Sequence, residues 1–389
     1  MPCPIPRRAV SRYARAMVTL APLPEIFLAC APGLEPLLRD EAAAAGFAAP
    51  TLQRGGVTIA GGWPDVWRAN LVLRGATRVL ARIGSFRALH LAQLDKRARK
   101  FPWAETLRPG CTIRVEATCT QSRIYHAGAA TQRVETALRE AFGATIAADA
   151  PLTLKVRIED DLVTLSLDTS GESLHKRGHK AAVSKAPLRE TLAALFLRAA
   201  GFRGEGPVVD PMCGSGTFAL EAAEIAAGLW PGRDRAFAFE MLAGFDPVAF
   251  AALKASAPAP RPGPVTGYGF DRDPGAIRAA TDNAARAGVA DRTAFRQQVL
   301  SDLTPPDGPP GLVIVNPPYG ARIGEKSDLF PLYGTLGKVL LTRFSGWRAA
   351  IVTTEGGLAR ATGLPLLPPG PVVDHGGLKV RLYQTTPLP

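Results

Sequence analysis

The stretch VVDPMCGSGTFALEAAEIAAG, residues 208–228, is typical of the first strand, loop and helix of a doubly wound α/β sheet. A β-branched pair predicts the end of a buried strand, and Asp210 follows it at the carboxyl edge, where open α/β sheets bind ligands. Gly214 and Gly216 allow the backbone to bend sharply and to come close to a ligand. The alanine-rich helix that follows presents its first N–H groups to something negative or polar. We therefore expect a small-molecule site at this loop.

Two common nucleotide-binding loops fit this stretch poorly. The dinucleotide pattern G-x-G-x-x-G has Ala219 in place of its last glycine, a change that some dinucleotide folds tolerate. The Walker pattern fails because no Lys-Ser or Lys-Thr pair follows the loop. The loop taken alone therefore does not select one cofactor.

A second strand and helix follow in VTGYGFDRDPGAIRAATDNAARAG, residues 265–288. The strand ends in Asp271, and the acid at this place in a βαβ unit is where a ribose diol is bound. Asp273 precedes Pro274, so a plain helix N-cap is a rival interpretation for that residue. We expect Asp271 to bind a ribose beside the glycine-rich loop.

A third motif, LVIVNPPYGARIGE, occupies residues 312–325. An apolar strand runs into Asn316, and the two prolines after it favour a rigid, extended turn at the carboxyl edge of the sheet. The Asn316 side-chain oxygen and the Pro317 carbonyl can both accept hydrogen bonds from a planar amine that is held toward a methyl donor. Tyr319 offers a stacking face for a flipped base. The tetrapeptide alone is a weak signal, but at the fourth strand of this sheet it indicates methylation of an amine.

Composition limits the class of protein. The chain has 389 residues, 47% hydrophobic and 21% charged, and contains no apolar run long enough for a transmembrane helix, so we expect a globular protein without a membrane span. Five cysteines, an odd number without a CxxC pair, indicate reduced thiols and a cytoplasmic location. Residues 1–22 form a basic tail without the apolar core of a secretory signal. This tail is expected to be disordered, unless translation starts at Met17.

Charge and histidine spacing point to partners. The net charge of +12 favours a polyanion, most often nucleic acid, although a genome that prefers arginine would give the same sign. His175 and His179 in HKRGH have the spacing of metal ligands. No second Cys/His pair accompanies them, so we favour a basic loop and expect no metal.

Taken together, these motifs resemble the class I S-adenosylmethionine-dependent methyltransferases that act on amines. The details are similar to one branch, the THUMP-containing RNA guanine-N2 methyltransferases, which comprise bacterial 23S rRNA enzymes and tRNA relatives. The resemblance covers residues 25–389 and is carried in the second half by SLHKRGHKAAVSKAPLRETLAA, DPMCGSGTFALEAA, FAFE, FDRDPGAIRAATDNA and NPPYGARIGE. In the first half it is carried by ACAPGLEPLLRDE, RANLVLRGATRV and TIRVEATCTQSRIYHAG.

The resemblance implies an α/β fold with three parts after the basic tail of residues 1–22. Residues 23–86 would form an α+β ferredoxin-like element, and residues 87–170 a THUMP RNA-binding domain. Residues 171–389 would form a Rossmann-like class I methyltransferase sheet of seven strands, the last of them antiparallel. The change to βα repeats near Gly171 and the late strand LKVRLYQTT agree with this division.

The resemblance also assigns site residues. Catalysis would depend on Asn316, Pro317 and Tyr319. S-adenosyl-L-methionine would be bound by Ala186, Pro187, Leu188, Asp210, Pro211, Gly214, Ser215, Gly216, Thr217, Asp271, Arg272, Val299 and Asn316. Relatives usually carry an acid after the third strand, close to the adenine amino group, where this chain has Val299. Whether Asp302 replaces that acid stays open.

The implied reaction is methyl transfer from S-adenosyl-L-methionine to the N2 amine of a guanosine in RNA. Among RNAs, 23S rRNA is favoured over tRNA, and the acting form is expected to be a monomer. RNA contacts are expected at Lys96, Arg97, Arg99, Lys100, Lys176, Arg177 and Lys180, although the first four could equally form a solvated helix face.

Two other functions stay open. A DNA adenine methyltransferase also uses an Asn-Pro-Pro-Tyr turn, but the THUMP-like first half argues against it. A non-catalytic RNA-binding protein with a relic cofactor pocket is the other, and the intact motif residues Asp210, Asp271 and Asn316 argue against that.

Overall fold

The computed structural model describes residues 25–179, 188–319 and 329–389, which form two compact units. Unit 1 contains residues 25–30 together with Arg39–Leu174 and Arg235–Ser256. Unit 2 contains Ala31–Leu38, His175–Asp234 and Ala257–Pro389.

Each unit is built on its own β-sheet. The strands, in chain order, are Glu25–Ala29 (β1), Ala48–Gln53 (β2), Gly56–Ala60 (β3), Arg78–Arg87 (β4), Thr112–Thr120 (β5), Thr145–Ile146 (β6), Leu152–Glu159 (β7), Leu162–Asp168 (β8), Val208–Asp210 (β9), Gly267–Asp271 (β10), Thr293–Gln297 (β11), Leu312–Val315 (β12), Arg348–Thr353 (β13), Val373–His375 (β14) and Leu378–Gln384 (β15). The helices are Glu35–Ala44 (α1), Trp63–Val72 (α2), Leu91–Arg99 (α3), Ala127–Ala137 (α4), Glu190–Ala199 (α5), Thr217–Ala227 (α6), Pro247–Ala255 (α7), Pro274–Ala287 (α8), Leu329–Arg343 (α9) and Gly356–Ala361 (α10).

The unit 1 sheet has eight strands in the order β2-β3-β1-β4-β8-β7-β5-β6, antiparallel except where β5 runs parallel to β6 and β7. Along β7 the buried Leu154 and Val156 alternate with Lys155 and Arg157, so one face covers the core and the other is polar. Strand β4 pairs with β1 on one side and β8 on the other. The predicted ferredoxin-like and THUMP segments therefore share one sheet, and a boundary between residues 86 and 87 stays a prediction.

Residues 235–256 pack in unit 1, although the predicted 171–389 domain includes them. Phe239, Phe245 and Phe250 surround the Trp67 ring, with ring-centroid distances of 6.1, 5.7 and 6.1 Å. Trp67 is 2% exposed, and burial of so much aromatic surface stabilises this association. The FAFE motif therefore contributes to the core of unit 1, while the predicted boundary of the 171–389 segment stays a prediction.

The unit 2 sheet has seven strands in the order β11-β10-β9-β12-β13-β15-β14. Strands β9 to β13 run parallel, whereas β15, the last strand, is antiparallel to β13. The predicted seven-stranded sheet with an antiparallel last strand is confirmed. Helix α6 packs closely on β10. A Cβ atom at Gly267 would lie only 2.2 Å from the Ala219 carbonyl oxygen. Only glycine fits at that position.

Strand order brings the three sequence motifs to one edge of this sheet. The chain runs outward from β9 to β10 and β11 on one side and to β12 and β13 on the other, so the strand order switches beside β9. Ligands of open α/β sheets bind outside the carboxyl ends of the strands at such a switch point. Asp210, Asp271 and Asn316 end or follow β9, β10 and β12 at this edge. Over the described part of the chain, no helix combines the length and apolarity needed to span a bilayer.

Candidate active site

The glycine-rich loop after β9 is a tight turn that depends on its two glycines. Gly214 and Gly216 have φ values of 52° and 88°, a left-handed backbone that favours glycine. The Gly216 N–H donates to the Cys213 carbonyl at 2.8 Å. A Cβ atom at Gly216 would lie 3.1 Å from Ala280 and from the Phe295 ring. The close packing of Gly216 against Ala280 and Phe295 therefore leaves little room for a side chain at that position.

The Asp271 carboxylate joins the end of β10 to this loop. Its Oδ2 atom accepts from the Gly214 N–H at 3.0 Å, and its Oδ1 atom accepts from the Asp273 N–H at 2.9 Å. A carboxylate has about four acceptor positions, so two remain for a ligand such as a ribose diol. Asp273 itself caps α8 by accepting from the Gly275 N–H at 2.7 Å, in agreement with the N-cap interpretation.

The Asp210 carboxyl lies at the end of β9 and is 3% exposed. Its Oδ1 atom accepts from the Met212 N–H at 3.1 Å. Burial raises the pKa of Asp210 to about 8, and the nearby Asp271 charge adds to the rise. A cationic ligand close to this carboxyl would favour its ionised form.

Sequence reasoning missed Asn283, which supports the loop from below. Asn283 lies on α8, is fully buried, and donates from Nδ2 to the Ser215 carbonyl at 3.1 Å. Arg286 donates to Asn283 Oδ1 at 2.5 Å and to the His179 carbonyl at 2.8 Å. These bonds connect the loop to the HKRGH segment. The sequence signal that could have identified Asn283 was its position as a polar residue among Ala280, Ala284 and Ala287, on the face of the helix that is buried.

The HKRGH segment is anchored to α6 rather than exposed. Arg177 is 3% exposed and pairs with Glu221 at 3.4 Å, and His179 Nδ1 lies 3.7 Å from Glu224. Burial lowers the pKa of His179, with Glu224 opposing that shift. Because the Arg177 guanidinium is enclosed by protein, its assignment to RNA binding is corrected to anchoring this segment. Lys176, in the same segment, is exposed, so its assignment to RNA contact stays a prediction.

The Asn-Pro-Pro-Tyr turn follows β12 and contains an unsatisfied acceptor. Asn316 Oδ1 is buried and has no hydrogen-bond partner among residues 25–179, 188–319 and 329–389. Pro317 is buried and Tyr319 is half-buried. The Pro318 carbonyl lies 3.4 Å from the Tyr333 hydroxyl, which also lies 3.2 Å from Thr353 Oγ1. Burial raises the pKa of Tyr333 far above neutrality, so its hydroxyl stays a donor.

The remaining predicted cofactor residues differ in exposure. Val299 follows β11 and is 48% exposed, with the neighbouring Gln298 N–H donating to the Asp271 carbonyl at 2.9 Å. Asp302 lies one turn further on and is exposed. Of the others, Pro211, Ser215, Thr217 and Leu188 are buried, Arg272 is exposed, and Ala186 and Pro187 lie outside the described residues, as does Lys180.

Comparisons with known proteins agree with this geometry. Residues 177–364 match the model of an RMKL-like methyltransferase domain, UPF0020, and residues 25–80 match an RlmL ferredoxin-like domain, as predicted for the N-terminal element. A Ribosomal RNA large subunit methyltransferase K/L from Syntrophotalea carbinolica is 39% identical over 87% of this chain and 50% of its own length. The chain thus spans about half the length of the curated relatives of that name.

Two further proteins match over nearly their whole length. The slr0064 protein of Synechocystis, a candidate RNA methyltransferase, is 31% identical over 92% of this chain and 95% of its own. The structure of SMU.472, a candidate methyltransferase complexed with SAH, superimposes with a TM-score of 0.82 at 27% identity, covering 94% of this chain and 98% of that one.

Proposed function

Because the chain belongs to the RMKL-like methyltransferase family, UPF0020, we propose that it transfers a methyl group from S-adenosyl-L-methionine to the exocyclic N2 amine of a guanosine in RNA. The observation that carries the proposal is the buried Asn316 Oδ1 atom, which lacks a partner among the described residues and follows the strand beside β9. A buried acceptor without a donor costs free energy unless a ligand satisfies it. The amine of a substrate would supply that donor.

The residues of the strand edge fit S-adenosyl-L-methionine. Asp271 keeps acceptor positions for a ribose diol, and the Gly214 N–H, which donates to the same carboxylate, places the glycine-rich loop beside them. Asp210, whose carboxyl is destabilised as an anion by burial, would be favoured in its ionised form by a cationic ligand. When bound, the cofactor supplies a methyl group activated by its sulfonium, which leaves as a neutral thioether.

The turn after β12 orients the amine. Asn316 Oδ1 and the Pro317 carbonyl accept its two N–H bonds, which directs the nitrogen lone pair toward the methyl group. Positive charge develops on the amine as the N–C bond forms, and both acceptors stabilise it. One amine proton then passes to water, so the product is a neutral secondary amine. Tyr319 supplies a face on which the flipped base stacks.

Features of unit 1 support an RNA partner, and 23S rRNA is the RNA we favour. Lys96, Arg97 and Lys100 are exposed on and just after α3, where they can contact phosphates. Arg99 is already paired with Asp95 and Glu140 at 2.8 and 2.7 Å, so we expect it to contribute less to phosphate binding than the other three cations. The name of the relatives that match over half their length, ribosomal RNA large subunit methyltransferases, supports the choice of rRNA.

The proposal is tested by mapping modified nucleosides. Mass spectrometry of 23S rRNA and tRNA from a deletion strain should reveal one guanosine that has lost its N2 methyl group, and the purified protein should restore it with S-adenosyl-L-methionine. Loss from tRNA instead of rRNA would change the substrate. A methyl group lost from adenine, or no loss in either RNA, would overturn the proposed reaction.

A further inference from the structure

The strand next to the Asn-Pro-Pro-Tyr turn ends in an acid that the proposed reaction has not used. Strands β12 and β13 are parallel, with Val315 opposite Ile351, so their carboxyl ends leave the same edge side by side. Glu355 lies two residues beyond the end of β13 and is half-buried.

Hydrogen bonds connect Glu355 to the catalytic turn. The Tyr333 hydroxyl lies 3.4 Å from the Pro318 carbonyl and 3.2 Å from Thr353 Oγ1. The same Thr353 Oγ1 atom accepts from the Glu355 N–H at 3.4 Å. Burial raises the pKa of the Tyr333 hydroxyl, and the nearby Tyr319 and Glu355 side chains add to the rise. The turn and the acid therefore flank one buried tyrosine.

The surroundings of Glu355 suit a planar base. Two glycines follow it, and a Cβ atom at the second, Gly357, would lie 4.0 Å from the Phe330 ring. Phe330 is 47% exposed at the start of α9, one helical turn before Tyr333. An exposed aromatic ring, a half-buried acid and the half-buried Tyr319 thus lie on the side of the turn where β13 ends.

We propose that Glu355 is the residue that selects guanine, by accepting a hydrogen bond from the N1–H of the target base. The proposal rests on the proposed guanosine methylation. Guanine carries its N1–H directly beside the N2 amine, so a group that reads N1 must lie next to the groups that hold N2. Adenine presents a lone pair at N1, which a carboxylate repels. A site built around a hydrogen bond rejects analogues that lack its donor far more strongly than one built on shape.

The test uses synthetic RNA strands that span the guanosine identified by nucleoside mapping. In one strand the target is guanosine, and in the other it is 2-aminopurine riboside, which keeps the reactive amine but has an N1 lone pair instead of N1–H. Wild type should prefer guanosine in kcat/KM. Glu355→Gln should reduce that preference on the order of 10- to 100-fold, since a hydrogen bond to a charged group is lost and an amide N–H can donate to the N1 lone pair. Glu355→Asp should keep the preference.

Two controls make the result decisive. Glu205→Gln, a change of the same chemistry at an exposed residue ahead of β9, should leave the preference unchanged. Calorimetric titration with S-adenosyl-L-methionine should give the same affinity for wild type and Glu355→Gln, which establishes that the variant is folded. An unchanged preference in a folded Glu355→Gln overturns the proposal for Glu355 alone. A wild-type protein that methylates no guanosine overturns the proposed function itself.

Discussion

Asp210 and Asn316 are polar residues at the same sheet edge, and burial affects them differently. Asp210 responds by taking up a proton, because burial raises the pKa of its carboxyl to about 8. The Asn316 amide cannot titrate, so its buried oxygen lacks a donor in the described part of the chain until a ligand supplies one. We therefore expect Asp210 to affect the pH dependence of stability and Asn316 to affect the rate of methyl transfer.

Asp210→Asn should change the pH dependence of stability in the protein without ligand. Between its ordinary pKa of 3.8 and about 8, the unfolded chain ionises Asp210 while the folded chain keeps the proton, so rising pH favours unfolding. The amide removes this dependence. The variant should gain stability relative to wild type as pH rises, and the gain should level off above about pH 8. Thermal unfolding of both proteins at acid, neutral and alkaline pH measures this gain. A stability difference that does not change with pH would contradict the raised pKa of Asp210.

Asn316→Ala should abolish most turnover while cofactor affinity stays nearly intact, because the main proposed contact of Asn316 is the target amine and not the cofactor. The amide oxygen is proposed to contact the amine and to matter most as charge develops there, so the rate should fall by about 10²- to 10³-fold. Tyr319→Ala should also slow the reaction, whereas Tyr319→Phe keeps the stacking ring and should be mild. Single-turnover methylation of RNA that lacks the modification measures each rate. A wild-type rate for Asn316→Ala would mean that the turn is only structural.

At the scale of elements, the Asn-Pro-Pro-Tyr turn contacts a helix that begins ten residues after it in the sequence. Tyr333 on α9 is fully buried in the unit 2 core and reaches both the Pro318 carbonyl and Thr353 at the end of β13. Its ring fills the core, and its hydroxyl joins two strand ends. We therefore propose that Tyr333 positions the proline turn.

Tyr333→Phe separates these two roles. The ring is retained, so the free energy of unfolding should fall by only about 1 kcal/mol for the lost hydrogen bonds. The turn loses its tether, so kcat should fall by about 10-fold or more, with the cofactor affinity unchanged. Tyr268→Phe removes a hydroxyl elsewhere in the same core and should leave kcat at the wild-type value. If both variants keep full kcat, the Tyr333 hydroxyl has no positioning role.

At the scale of the whole molecule, the net charge of +12 favours a polyanion, and ion pairing separates the cations that can bind phosphates from those already paired. Most cations on the polar face of the unit 1 sheet are paired with acids across or along the strands: Arg78 with Asp168, Arg82 with Glu25, Lys155 with Glu116 and Arg157 with Glu159. Paired charges release few counterions when a polyanion binds. The exposed cations at α3 are the better candidates for RNA contact.

Charge reversal at α3 should change the salt dependence of RNA binding. If Arg97 and Lys100 contact phosphates, Arg97→Glu and Lys100→Glu should each lower the slope of log affinity against log salt by about one. Arg157→Ala, at a cation paired with Glu159, should leave the slope unchanged. Fluorescence anisotropy with a fragment of unmodified 23S rRNA gives the slopes. Equal slopes for wild type and both reversals would assign the α3 cations to a solvated helix face.

The sequence by itself determined the local features of the site. The β-branched strand before Asp210, the two glycines of the loop, the acid that ends β10 and the two prolines after Asn316 each depend on a few adjacent residues, because backbone conformation is set by short-range sterics. The tight turn between β7 and β8 was predictable for the same reason.

Only the tertiary structure decided which groups meet across the chain. The sequence suggested that Arg177 contacts RNA, but in the structure it is buried and pairs with Glu221, 44 residues later. Likewise, residues 235–256 pack around Trp67 in unit 1. Asn283 and Tyr333 reach their carbonyl partners in the same way. These contacts depend on strand order and helix packing, which no local pattern encodes, since the hydrogen bonds and ion pairs form only after the sheet has brought distant segments together.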